Sequence, residues 1–182
     1  LFNKISGKRL SIVEDTPGVT RDRIYYDTEW NGKPIMMIDT GGFEPTSGET
    51  IKVKMREQAQ IAIETADVIV FLCDVRAGVT ADDRDIGTML MKSGKPVIVA
   101  VNKVDSIGAL PMEYYEFYEL GFDGDPIALS SLHGTGTGDL LDRVLELVPS
   151  DGEEEEEDDS IKVAVIGKPN AGKSSIINRI LG

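Results

Sequence analysis

Cysteine is almost missing from this chain: Cys73 is the only one in 182 residues. A lone thiol has no intrachain disulfide partner, which excludes a small cross-linked secreted scaffold and predicts a reducing, cytoplasmic setting. Its position inside the apolar run VIVFLCDV marks it as a small core hydrophobe. Histidine is equally scarce. His133 stands alone next to a glycine-rich loop and reads as a solvent-facing loop residue rather than a general base. Long apolar runs are lacking too, none nearing the roughly 18 residues of a membrane span, so no membrane partner is expected. The front carries no charged-then-apolar leader, and Leu1 in place of Met is expected of an excerpt from a longer polypeptide. Positive charge is in deficit, with 19 Lys and Arg against 32 Asp and Glu. With no basic patch, tight autonomous nucleic-acid binding gains no support.

Negative charge is abundant but uneven. Seven of the net −13 charges fall in EEEEEDD, residues 153–159, leaving −6 for the rest. Like charges in a run repel and cannot offset the entropy of packing, so residues 150–160 are predicted to be a linker. The remainder alternates between strand and helix patterns. RIYYDTEW and KPIMMIDT are β-rich and joined by Asn31-Gly32, a pair suited to a two-residue hairpin turn. Ile51, Met55, Ala59 and Ala62 or Ile63 recur at helical spacing. DVIVFLCDV and PVIVAVNK read as strands buried on both faces, and DDRDIGTMLMKSG as a helix stopped by glycine. MEYYEFYELG predicts a short helix, PIALSS a strand, and TGDLLDRVLELV a helix capped by its threonine. The alternation predicts an α/β layer fold, its sheet mostly parallel with one antiparallel edge hairpin.

Ligands in such folds sit beyond the carboxyl ends of the strands, and several strand ends here carry polar signatures. Asp39-Thr40-Gly41-Gly42 matches DxxG, with a carboxylate suited to holding Mg²⁺ through water and Gly42 able to present its N–H to a terminal phosphate. Asn102-Lys103-Val104-Asp105 matches NKxD. A carboxylate at Asp105 can accept the ring N–H and exocyclic amine of guanine, whereas adenine would leave it unpaired. Lys103 would lay its stem over the base, and Asn102 would tie the loop to its neighbours. Ser130-Ser131-Leu132 can offer a backbone N–H to the guanine oxygen. Near the front, Thr20 in EDTPGVTRDR can give its hydroxyl to Mg²⁺ from a loop that closes over a γ-phosphate.

The strongest signal lies last. IKVAVI leads into Gly167-Lys168-Pro169-Asn170-Ala171-Gly172-Lys173-Ser174, a full GxxxxGK[ST], with Ser175 opening the helical stretch behind it. Successive N–H groups would cradle phosphates, Lys173 would neutralise the β and γ oxygens, and Ser174 would reach Mg²⁺. Residues 1–7, LFNKISG, match residues 176–182, IINRILG, position by position at an offset of 175. That repeat predicts tandem nucleotide-binding domains cut one repeat wide and out of phase: residues 1–149 a domain without its first strand and P-loop, residues 161–182 the start of a second. Eleven linker residues reach about 35–40 Å, enough for the tail to fill the gap as a circular permutant.

EDTPGVTRDR, DTGGF, NKVD, SSLHGTGTGDLLD, the acidic linker and IGKPNAGKSSIINRILG together resemble the Der (EngA) family of bacterial tandem GTPases, across essentially the whole chain. The resemblance implies a P-loop GTPase fold of three α/β/α layers, GTP hydrolysed to GDP, and a role in maturing the large ribosomal subunit. It also implies that Phe43, standing where Ras-like enzymes carry a water-orienting glutamine, leaves that task undone, and that K⁺ near Asn170 assists instead. The competing reading is an ATP-using P-loop protein or a P-loop fragment without autonomous activity, its NKVD an accidental turn.

Overall fold

The computed structural model describes residues 10–11, 24–41, 51–105, 108–148 and 160–182. Thr20, Gly42, Phe43 and the acidic run 153–159 lie outside them. Seven strands form one sheet in the order β1-β2-β3-β7-β4-β5-β6. They are β1 (Leu10–Ser11), β2 (Ile24–Trp30), β3 (Lys33–Asp39), β4 (Val68–Asp74), β5 (Val97–Asn102), β6 (Ile127–Ala128) and β7 (Ile161–Gly167). The helices are α1 (Ile51–Thr65), α2 (Ala81–Ser93), α3 (Thr137–Leu147) and α4 (Lys173–Leu181).

Asn31 and Gly32, at φ 49° and 76°, turn β2 back onto β3, as the dipeptide predicts. The antiparallel edge is larger than one hairpin, because β1 also pairs antiparallel with β2 through Leu10 and Tyr26. Among the described residues the other strand-to-strand pairings are parallel. β4, β5 and β7 are buried along almost their whole length, which is why they read as unbroken apolar runs rather than alternating ones.

Helices cover both faces. Met55, Ala59 and Ala62 of α1 and Ile86 and Leu90 of α2 pack with Ile69, Phe71 and Ile166 on one side of the sheet. Leu140 and Val144 of α3 and Ile176 and Ile177 of α4 pack with Val70, Ile98 and Val165 on the other. The three layers of the expected fold are thus present. β7 occupies the middle, with Val163 to Ile166 at 0–1% exposure, so the strand before GxxxxGK[ST] lies between β3 and β4.

Four local expectations need adjustment. Ile51 is half exposed, because it begins α1 rather than joining the stripe that Met55, Gln58, Ala59 and Ala62 bury. Met112–Leu120, expected as a short helix, winds as a 3₁₀ helix. The cap of α3 is Gly136; Thr137 is already inside the helix, and its hydroxyl donates to the Gly134 carbonyl. α4 starts at Lys173, with Ser175 within its first turn.

Candidate functional site

The carboxyl ends of β3, β5, β6 and β7 bring the predicted polar signatures to one rim of the sheet. β7 ends at Gly167, whose N–H donates to Gln58 Oε1 of α1 at 3.2 Å. The loop then passes Lys168, whose ammonium donates to Thr80 and forms a 3.0 Å ion pair with Asp83. Those two residues are the capping box at the start of α2, so a helix cap also anchors the loop. Pro169 and Asn170 are exposed, Asn170 at φ 63°. Ala171 is buried. After Gly172 the chain enters α4, whose first N–H groups have no acceptor within the helix.

Lys173, 8% exposed, donates from Nζ to the carbonyls of Gly167 and Lys168 at 2.8 and 2.9 Å. Burial pushes its pKa below 10.5, and the nearby Asp39 carboxylate partly counters this. A cation held by two carbonyl dipoles is poised for a stronger counter-charge. Asp39 is buried at the end of β3. Its Oδ1 accepts the Gly41 N–H at 2.8 Å and its Oδ2 the Ser174 hydroxyl at 3.1 Å. Thr40 turns away from this rim, its hydroxyl donating to the Val165 carbonyl at 2.6 Å. Ser175 is exposed.

Asn102 ends β5 and joins three loops. Its Nδ2 donates to the Ala171 carbonyl at 2.7 Å, and its Oδ1 accepts the Ser131 N–H at 3.0 Å and the Ser131 hydroxyl at 2.9 Å. Lys103, at φ 66°, sends its ammonium to Asp74 at 2.5 Å. Val104 is buried beneath the loop and donates its N–H to the Leu129 carbonyl. Asp105 Oδ1 accepts the buried Ser130 hydroxyl at 2.7 Å, and its Oδ2 accepts Arg76 Nη2 at 2.9 Å. The Ser130 hydroxyl, with the Arg76 charge adding to it, holds the Asp105 carboxyl below its usual range. Leu132 is 78% exposed. His133 is exposed as well; its carbonyl accepts from Arg179, its N–H donates to Ser130 Oγ, and its side chain lies close enough to Asp105 to act on that carboxylate electrostatically.

Sequence reasoning passed over Gln58, Asp74, Arg76, Thr80 and Asp83. Gln58 left a trace, a polar residue on the apolar stripe of α1. Asp74 and Arg76 left another, since β4 also ends in a polar stretch.

The family model described as 50S ribosome-binding GTPase matches residues 1–103 and 162–182. The chain belongs to this family. The two stretches of the GTPase family match lie at opposite ends of the sequence, yet β7 from one sits between β3 and β4 from the other. Along its whole length the chain is 61% identical to the GTPase Der of Acetivibrio thermocellus and 59% identical to that of Ruminiclostridium cellulolyticum, covering 41% of each. It thus spans about two fifths of the curated relatives it matches. Among solved structures it resembles a crystal structure of Era from Aquifex aeolicus bound to GDP·AlF₄⁻, 29% identical over 82% of this chain and 52% of that one, with a TM-score of 0.57.

Proposed function

We propose that this chain binds guanine nucleotide and, within a longer polypeptide, hydrolyses GTP to GDP and phosphate in the service of large-ribosomal-subunit maturation in the cytoplasm. One observation carries the reading. Asn102 of the NKVD loop is hydrogen-bonded to Ala171 of the P-loop, so a base-reading carboxylate and a phosphate-binding lysine share a single rim. The tail, residues 161–182, then serves residues 1–149 as their missing strand and P-loop.

In this reading the α4 N-terminus and the loop N–H groups hold the phosphates. Lys173 leaves the Gly167 and Lys168 carbonyls to neutralise charge as the γ-phosphoryl group departs. Asp105 accepts the two guanine donors, Lys103 covers the base, and the Ser131 and Leu132 backbone faces the guanine oxygen. Ser174 and Asp39 offer a hydroxyl and a carboxylate oxygen 3.1 Å apart. Among the described residues no group of three or more His, Cys, Asp or Glu could hold a metal by itself. Two hard oxygens suit Mg²⁺, which takes one or two protein ligands and completes its shell with phosphate and water. When bound, it would supply charge stabilisation at the β and γ oxygens. Thr20 and the Gly42 N–H complete the proposed set, and Asn170 is the proposed K⁺ ligand.

Titration of labelled GTP and ATP, with and without Mg²⁺, tests the reading. Saturable GTP binding that ATP does not compete away is expected; equal binding of both, or of neither, would overturn it. Hydrolysis is expected to be slow, and faster in K⁺ than in Na⁺. Equal rates in the two salts would remove the K⁺ assignment.

A further inference from the structure

The end of β4 and the turn after it carry two charged side chains, Asp74 and Arg76, that the nucleotide motifs leave unassigned, and both pair with the NKVD loop. Arg76 pairs with Asp105, and Asp74 pairs with Lys103. Val75, Arg76, Lys103, Asp105 and Pro111 line a cavity of about 300 Å³. Glu113 also lines it, and the two charged groups of the motif, Lys103 and Asp105, are each held by a group from the end of β4 or the turn after it.

The Arg76–Asp105 contact is poorly suited to holding the fold together. The Arg76 side chain is 68% exposed and rises from a single 3₁₀ turn, Val75–Ala77. An exposed ion pair of this kind adds little to stability. Its chemistry is more informative than its strength. The edge of guanine that meets a carboxylate, ring N–H and exocyclic amine on one carbon, is itself a guanidine fragment. Arginine presents the same planar fork of N–H donors.

We propose that Arg76 tunes the affinity of the base site by acting as an internal stand-in for guanine, its guanidinium holding the Asp105 carboxylate until the base displaces it. The inference rests on the guanine-nucleotide reading given above. Arg76 Nη2 and a guanine N–H compete for Asp105 Oδ2, while the Ser130 hydroxyl keeps Oδ1, which retains a free lone pair for the second guanine donor. Arg76 therefore opposes nucleotide entry. Adenine, whose corresponding edge has no donor fork, has nothing with which to dislodge it.

The test is binding of fluorescently labelled GDP to the full chain at fixed Mg²⁺, comparing the wild type with Arg76→Met and Arg76→Lys. At low salt the Met variant should bind about two- to five-fold more tightly, the range an exposed pair supports, with most of the gain in association rate. Lysine keeps the charge but loses the fork and should fall between. The difference should shrink between about 50 mM and about 500 mM salt as the pair is screened. In an Asp105→Asn background, tested with labelled xanthosine diphosphate, Arg76→Met should change nothing, because no carboxylate remains to compete for. Wild-type GDP binding that Arg76→Met leaves equal or weaker at low salt would overturn the proposal while sparing the guanine reading. If the wild type and every variant fail to bind GDP, the guanine reading falls and this inference falls with it. Matching melting temperatures of wild type and variants would show that the fold is intact.

Discussion

In the proposed reading the carboxylate that meets guanine must stay ionised under working conditions, and the surroundings of Asp105 suit this. The Ser130 hydroxyl and the Arg76 charge hold its pKa below the ordinary 3.8. A depressed carboxylate pKa means that the charge, and the stability it contributes, is fully present above 3.8 and is lost only as pH falls through the lower folded value. The ratio of GTP to ATP affinity should therefore be flat from about pH 8 to about pH 5, a range above both values for this group. Phosphate ionisation affects both nucleotides alike, so it cancels in the ratio. Competition titrations across this range check the expectation, and a fall in the ratio centred near pH 6 would mean that another group reads the base. Asp105 stood out in the sequence as the last residue of a four-residue motif, and its guanine-reading role is the proposal made above. Arg76 was not, because its importance depends on β4 and β5 lying side by side, which fixes the distance between two loops far apart in sequence.

At the scale of elements, the P-loop is a short strand-to-helix link with three fastenings: Gln58 from α1, the Thr80–Asp83 cap of α2, and Asn102 from β5. Gly167 is one of its tight points. Its φ is 155°, and a Cβ there would run into the Leu72 backbone carbonyl, which cannot step aside as a flexible side chain would. Gly167→Ala should cost roughly 1–3 kcal/mol, the scale of a strained backbone position, and lower nucleotide affinity as well. Gly32 offers a comparison, since it also has positive φ, at 76°, but open space around its Cβ position. Gly32→Ala should cost only about 1 kcal/mol or less. Urea midpoints for the two variants at unchanged m-value provide the measurement, and equal losses would count against the steric account. Helix and strand types were largely readable, because unbroken apolar runs and a 3.6-residue period report burial directly. The cap of α3 was not, since Thr137 and Gly136 offer competing solutions and only the loop geometry chooses between them.

Across the whole molecule, the order β3-β7-β4 decides what can work at all. β3 and β4 never touch through hydrogen bonds; each pairs with β7. Cutting the chain at an engineered protease site within residues 151–159 should therefore leave the C-terminal piece bound, with both pieces eluting together under native conditions and separating in urea. Separation without denaturant would show that the tail is not an integral strand. The GxxxxGK[ST] motif and the repeat at its end made such an arrangement conceivable from sequence. Two strand edges left open around an empty slot already favoured filling it; the register of each pairing is what the assembled sheet adds. Of the seven strands, the one at the centre comes last in the chain, more than a hundred residues after β3. The ring closed by that pairing is large, so its entropic cost falls early on the route to the native state, before many contacts reward it. Refolding should accordingly be slow for a domain of this size, with methyl deletions at Val163 and Val165 retarding the folding limb of the chevron more than they quicken the unfolding limb.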